Sequence, residues 1–385
     1  MNKIVNRNQS IELLRIISMC MIIVLHFFAY SNVAQNVTLF STGYFTKILI
    51  QSICNVAVNC YILISGYFCI QSRFKLKKLA VLFLQVWFYS VIFYFLAVYF
   101  DFTTFSIKDL LFSMFPTLTR QYWFVTTYVG AYLLSPIIRN ITLKIDQKTH
   151  FMLLGTGFIL FVVYYNFFFF CDNLNFGGAT GIVWFIYLYF WGSYLARYYI
   201  PDYKKIHIIH YLSIVLLAIL SHVPFYLIYF LTGNELFLQG AGIFNSVYNS
   251  IFVFISSILF FIIFLNIKLN LKSFLYRIVM SLSAVSFSVY LIHENPYVRN
   301  ILWKSFDFSQ ITSPLEIVFY CMSITGGIYT LCWGIDVIRK IIFLKYIERK
   351  KIQTKIDNIQ SFFEDQINNF YSKICEGNLD EFKNK

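Results

Sequence analysis

Near the start of the chain, the stretch IELLRIISMCMIIVLH sets an acid, a guanidinium and an imidazole into an otherwise apolar run: Glu12, Arg15 and His26. From Arg15 to His26 is eleven residues, which on an α-helix is about three turns, ~16 Å of rise and only ~20° of rotation. The two therefore share one face, and Glu12 lies one turn earlier on nearly the same side. An imidazole exchanges a proton near neutral pH, and a guanidinium binds phosphate in a bidentate fork. Such a stripe can hold an anion at one end and move a proton at the other. The plainer reading makes Glu12 and Arg15 an ion pair at a helix end and His26 a satisfied polar packer. Its apolar neighbours Leu25, Phe27 and Phe28 make that second half harder to sustain for His26.

Other polar groups recur at helical spacing. Gln51, Asn55 and Asn59 stand at four-residue intervals, followed by the small pair Ser65 and Gly66. Amides so placed hydrogen-bond between helices, orient a polar neighbour such as His26, or line a passage. For Gln51 and Asn55 the first role is preferred. Basic residues cluster in SRFKLKKL as Arg73, Lys75, Lys77 and Lys78. Further along, Tyr122 and Trp123 offer aromatic faces that stack on sugars or form an interfacial belt. His293 closes a short apolar run beside Glu294, with Arg299 near, where either a substrate or His26 can meet it.

The elements that must position these groups follow from composition. Hydrophobic residues make up 59% of the 385, aromatic residues 21% and charged residues 13%, with a mean hydropathy of +0.66. That excludes an ordinary soluble globular domain. A bilayer core needs about 20 mostly apolar residues per helical span, and about ten such stretches are present, over 11–31, 48–70, 80–100, 121–138, 151–170, 181–199, 208–231, 243–265, 278–294 and 315–338. Long continuous runs disfavour a barrel, whose strands are short and alternating. The fold class is all-α, a polytopic integral membrane bundle. In it an ionisable side chain at depth costs several kcal/mol and must face the bundle interior or a water-filled cavity.

Positive charge alternates between connections. Lys3 and Arg7 precede the first span; basic clusters follow the second, fourth, sixth and eighth; the intervening connections are poor in Lys and Arg. The positive-inside rule then puts both termini in the cytoplasm of a multi-pass bacterial plasma membrane protein. The formal net charge of +13 is spread over membrane edges facing anionic lipid, so it is no nucleic-acid footprint. The first apolar run is long and lacks a small-residue cleavage pattern, so it reads as a retained helix. Eight cysteines without a CxxC pair read as small apolar packers, with no metal site implied.

The connections are too short to fold as a separate catalytic domain, and no internal repeat of the transporter kind stands out. Residues 1–345 form the transmembrane domain. From 346 to 385 the chain turns polar, with Ile352, Ile356, Ile359, Phe363, Ile367, Phe370 and Ile374 at three- and four-residue spacing. This short amphipathic C-terminal tail lies on the inner membrane surface or pairs with another copy as a homo-oligomer.

Arg15 followed by His26 in IELLRIISMCMIIVLH resembles the first-helix motif of the membrane acyltransferase-3 family, whose members O-acylate sugars and cell-surface polysaccharides. NCYILISGYF (59–68), QYWFVTTYVGAYLLSP (121–136) and SFSVYLIHENPYVR (286–299) resemble later landmarks of that family, in order, over about residues 8–340. Many relatives carry two arginines three residues apart after the second helix; here Arg73 is accompanied by lysines instead.

The resemblance implies an O-acyltransferase, an O-acetyltransferase in its commonest form. It would move an acyl group from acetyl-CoA or another acyl-CoA to a hydroxyl of a polysaccharide or its lipid-linked saccharide precursor, with no metal. His26 is then the catalytic residue, either as base or as a transiently acylated nucleophile. Arg15, Arg73, Lys77 and Lys78 suit the donor's phosphates, Glu12, Asn59 and Ser65 support the site, and Tyr122, Trp123, His293 and Glu294 suit the acceptor. The competing reading is a transporter or flippase of a sugar-containing or lipid-linked substrate.

Overall fold

The structure, a computed structural model, describes residues 8–347 apart from 73, 120, 168–177, 206, 243, 245–246, 306–307 and 309–310, together with 361, 362 and 366. Arg73 and nearly all of the expected C-terminal tail lie outside the described residues. The principal helices are α1 (Gln9–Tyr30), α2 (Thr42–Cys54), α3 (Ala57–Cys69), α4 (Leu76–Tyr99), α5 (Trp123–Lys144), α6 (Gln147–Gly157) and α7 (Ile182–Tyr198). They continue as α8 (Ile208–Leu220), α9 (His222–Thr232), α10 (Ile251–Asn266), α11 (Ser273–His293), α12 (Pro296–Lys304) and α13 (Pro314–Ile347). No strand occurs among the described residues.

Every one of the ten expected spans overlaps a helix, and seven helical segments among the described residues are long and apolar enough to cross a membrane. The count of ten is not reached on that measure: α7 and α10 are shorter, 17 and 16 residues, and α5, though 22 residues long, is not among the seven. The second span is one passage from Thr42 to Cys69 that tightens between α2 and α3, where Asn55 and Val56 have ψ of −15° and −16°. Those values are closer to a 3₁₀ turn than to an α-helix.

Burial separates an inner from an outer set of helices. In the most apolar window of each span, 67% of Thr42–Cys69 and 56% of α1 are buried, against 22% of Ile208–Thr232. The exposed side chains of that outer segment include Leu216, Leu220, Leu227, Phe230 and Leu231. An apolar exterior over an interior that holds Glu12, Asn59, His293 and Asp336 is the arrangement a lipid solvent requires.

The α1 helix sits in the middle, packed on α2, α3, α10, α11 and α13. The most extensive pairing among the described helices is α3 with α7, and two glycines explain how closely they meet. A Cβ at Gly66 would lie 2.6 Å from Tyr189 O, and one at Gly192 would lie 2.4 Å from Leu63 O. Small residues facing each other let backbones approach, which is how membrane helices gain van der Waals contact without a hydrophobic driving force. Beside this crossing, buried Asn59 donates to Tyr248 O at 2.8 Å and Ser257 Oγ at 3.1 Å, and accepts from Trp184 Nε1 at 3.0 Å. One amide thereby ties α3, α7, α10 and the segment before α10. At a loop edge, Asp146 caps α6 by accepting from Thr149 N, and the hydrogen bonds from Thr149 hold its carboxyl below the usual carboxylate range.

Candidate active site

The packing of α1 against α11 brings together residues far apart in the chain. The α11 helix ends at His293 because Pro296 cannot continue it; Asn295 instead caps α12, accepting from Tyr297 N at 3.1 Å, with Pro296 in the first turn. This sharp stop leaves His293 and Glu294 at the helix end and sets Arg299 one turn into α12. Tyr122, at the start of α5, buttresses the stop: its hydroxyl donates to Leu291 O at 3.1 Å and accepts from Asn295 Nδ2 at 2.9 Å.

His26 meets this helix end. Its Nδ1 lies 2.9 Å from His293 Nε2 and 3.1 Å from Glu294 Oε2. The other nitrogen of His293, Nδ1, is 2.5 Å from Val289 O, and a carbonyl only accepts, so that nitrogen carries a proton. In neutral His293 the Nε2 is then an acceptor. Both groups facing His26 Nδ1 are acceptors, so Nδ1 donates, and the network assigns neutral His26 the tautomer whose Nε2 is the basic nitrogen. Glu294 is fixed from its other oxygen: Oε1 accepts from Tyr30 Oη at 2.8 Å and from Arg299 Nη1 at 2.8 Å. The Arg299 guanidinium also lies 4.8 Å from the Tyr30 ring centroid.

A metal ion is the alternative use of His26, His293 and Glu294, whose ligand atoms lie within 4.8 Å of one another. Two nitrogens at about 2.0–2.1 Å from one tetrahedral ion stand well over 3 Å apart, whereas here they are 2.9 Å apart. The spacing is that of a hydrogen bond.

Two cavities flank α1. The first, about 60 Å³, is lined by His26 together with Tyr61, Trp123, Phe124, Tyr248 and Tyr290. Trp123 stacks on Tyr248 with an interplanar angle of 20°, and Asn59 holds the Tyr248 carbonyl. The second, about 320 Å³, is lined by Arg15, Lys78 and Arg139 among its charged side chains, with Ser65 and Ser72. Among the described residues no carboxylate lines it, a charge balance that favours an anion. Arg15 Nε is buried and lacks a hydrogen-bond partner among the described residues. Glu12 stands 3.9 Å from it and accepts from Ser283 Oγ. Phe124, Tyr128 and Tyr132 recur every four residues on α5, stacked at 6.0 and 6.3 Å; Phe124 lines the first cavity and the two tyrosines the second. This aromatic ladder rises ~12 Å along the helix and connects the two.

Most of the residues singled out from the sequence thus gather around α1. Arg15, Ser65 and Lys78 share the cationic cavity, whereas exposed Lys77 does not line it. His293 and Glu294 meet His26 directly, Trp123 shares its cavity, and Tyr122 stands behind, fully buried. Several participants escaped sequence reasoning, among them the cavity-lining Tyr61 and Tyr248 and two charged or hydrogen-bonding groups. Tyr30 lies four residues after His26 on the same face, a signal that was available, and Arg139 reads as loop charge because α5 runs beyond the expected span end, to Lys144.

A family model described as an acyltransferase domain matches residues 8–333. The chain belongs to the membrane acyltransferase-3 family. No curated protein and no solved structure matches it.

Proposed function

We propose that this membrane acyltransferase is an O-acetyltransferase of the bacterial plasma membrane. In this reading it takes the acyl group from cytoplasmic acetyl-CoA and passes it to a hydroxyl of a cell-surface polysaccharide or its lipid-linked precursor. The observation that carries the proposal is His26: its Nδ1 bonds His293 Nε2 with Glu294 Oε2 3.1 Å away, so its basic nitrogen is Nε2, and it lines a small apolar cavity. A base so oriented takes a hydroxyl proton, and exclusion of water protects the thioester from hydrolysis.

The donor's phosphates are assigned to Arg15, Lys78 and Arg139, with Arg73 immediately after Ser72 in sequence. Arginine offers bidentate geometry there and lysine a point charge. The basic clusters at that end support a cytoplasmic side for it, together with both termini. The pantetheine arm follows the ladder of Tyr132, Tyr128 and Phe124, which delivers the thioester to His26. Trp123 receives the sugar face of the acceptor, Tyr122 sets the helix end behind it, and His293 and Glu294 orient the base.

The test compares surface glycans from cells that lack the protein, carry it, or carry His26→Ala. The expected result is an acyl mass increment on one glycan with the intact protein only, and an inserted but silent variant. An increment retained with His26→Ala would overturn the assignment.

A further inference from the structure

The YLIH segment that closes α11 carries one side chain without a role so far. Tyr290 is 6% exposed, and its hydroxyl is buried without a hydrogen-bond partner among the described residues. Three other tyrosines are satisfied, Tyr122 by Leu291 O and Asn295, Tyr61 by Arg15 O at 2.8 Å, and Tyr89 by Asp336 at 2.6 Å; Tyr189, which shares the unpaired condition, lines the second cavity and not that of His26. A buried hydroxyl left unpaired is costly, and such a group in a native protein calls for an explanation. Tyr290 also lines the small cavity that holds His26. Its ring is wedged against Phe124 at 5.7 Å, Tyr122 at 6.0 Å and His293 at 6.3 Å between centroids, so it is held before any substrate arrives.

We infer that Tyr290 is a catalytic residue whose hydroxyl donates a hydrogen bond to the oxyanion of the tetrahedral adduct. The inference rests on the acyl-transfer reading and adds the group that reading lacks. The acceptor hydroxyl oxygen bonds to the thioester carbonyl carbon while His26 Nε2 takes its proton, and the carbonyl π pair moves onto oxygen. Tyr290 Oη–H bonds that oxygen. Collapse restores the carbonyl and breaks the carbon–sulfur bond; the proton passes from His26 to sulfur, giving an ester and a free thiol. A donor fixed in an apolar, water-poor pocket stabilises developing charge more than solvent does. Positions three apart on a helix share a face, so Tyr290 lines the cavity beside His26 while His293, one turn on, meets the far side of the His26 ring at Nδ1.

The test uses native membranes containing the full-length protein, radiolabelled acetyl-CoA as donor, and label in the carbohydrate fraction as readout. Tyr290→Phe keeps the ring and removes the hydroxyl. The maximal rate should fall about 10²–10³-fold, while KM for acetyl-CoA and expression stay near wild type and thermal stability does not drop. As a structural comparison, Tyr122→Phe, which loses two hydrogen bonds, should lower thermal stability. Incorporation of 3-fluorotyrosine at 290 retains the hydroxyl and strengthens it as a donor, so the rate should stay at or above wild type. A Tyr290→Phe rate within about threefold of wild type, below the cost of a lost oxyanion donor, would overturn the assignment. So would an equally large loss with 3-fluorotyrosine, which places the effect in packing. If wild-type membranes transfer no label, the acetyltransferase reading falls with it; if they label and Tyr290→Phe labels as fast, only the role of Tyr290 falls.

Discussion

Two buried carboxylates at different places in the bundle face different company. Asp336 on α13 is fully buried, and its Oδ1 accepts from Tyr89 Oη at 2.6 Å, Ser288 Oγ at 2.6 Å and Arg339 Nε at 2.8 Å, while Lys340 Nζ stands 2.9 Å from Oδ2. All its partners are hydroxyls or cations, drawn from α4, α11 and α13. It locks three helices in register. Glu294 has partners of the same kind, Tyr30 and Arg299, on one oxygen only, and its other oxygen stands 3.1 Å from an imidazole that lines a cavity. Burial of an acid in a membrane bundle therefore does not itself mark a reaction site. What separates the two is whether the carboxylate is answered wholly by groups of fixed charge state or shares its site with one that exchanges protons.

The comparison predicts opposite outcomes on removing each acid. Asp336→Ala leaves Arg339 and Lys340 without their carboxylate and is expected to cost about 3–5 kcal/mol of stability, read as a large fall in the detergent thermal unfolding midpoint with no specific effect on the activity of surviving protein. Glu294→Gln should leave that midpoint near wild type, since the amide oxygen still accepts from Tyr30 and Arg299. Its amide nitrogen, however, donates toward His26 Nδ1 where an acceptor is needed. Acyl transfer should fall about 10²-fold, within the range of a misplaced general base, with donor KM little changed. If Asp336→Ala is stable and Glu294→Gln unfolds, the contrast is reversed and Glu294 is the structural acid.

How much of this was legible beforehand differs residue by residue. The stripe of α1 was legible because helical geometry alone puts Arg15 and His26 on one face, and any charge in an apolar run is conspicuous. His293 was legible as a polar group at a helix end, near either a substrate or His26. Which of the two it meets depends on α1 packing against α11, 267 residues away in sequence, and hydropathy carries no information on helix pairing. Asp336 lay inside the expected span 315–338, twenty residues beyond the acid at its edge, Glu316, a signal of the same kind as His26 that was passed over. Tyr290 stood within a quoted motif but had no role, because an unpaired hydroxyl exists only relative to its neighbours in space. The apolar helical runs were legible from their length, whereas only seven segments among the described residues, not ten, are long and apolar enough to cross a membrane.

The central claim is a division of labour along α1, with donor phosphates held at Arg15 and proton transfer at His26, and it is tested by the binding of a nonhydrolysable acyl-CoA analogue to two purified variants. Arg15→Lys keeps the charge but loses the bidentate fork, so affinity should weaken by about tenfold, the order expected for one charge-assisted bond. His26→Gln should bind the analogue as wild type does while its turnover falls by about 10²–10⁴-fold. Equal affinity in both variants, or weakened binding in His26→Gln alone, would contradict the account.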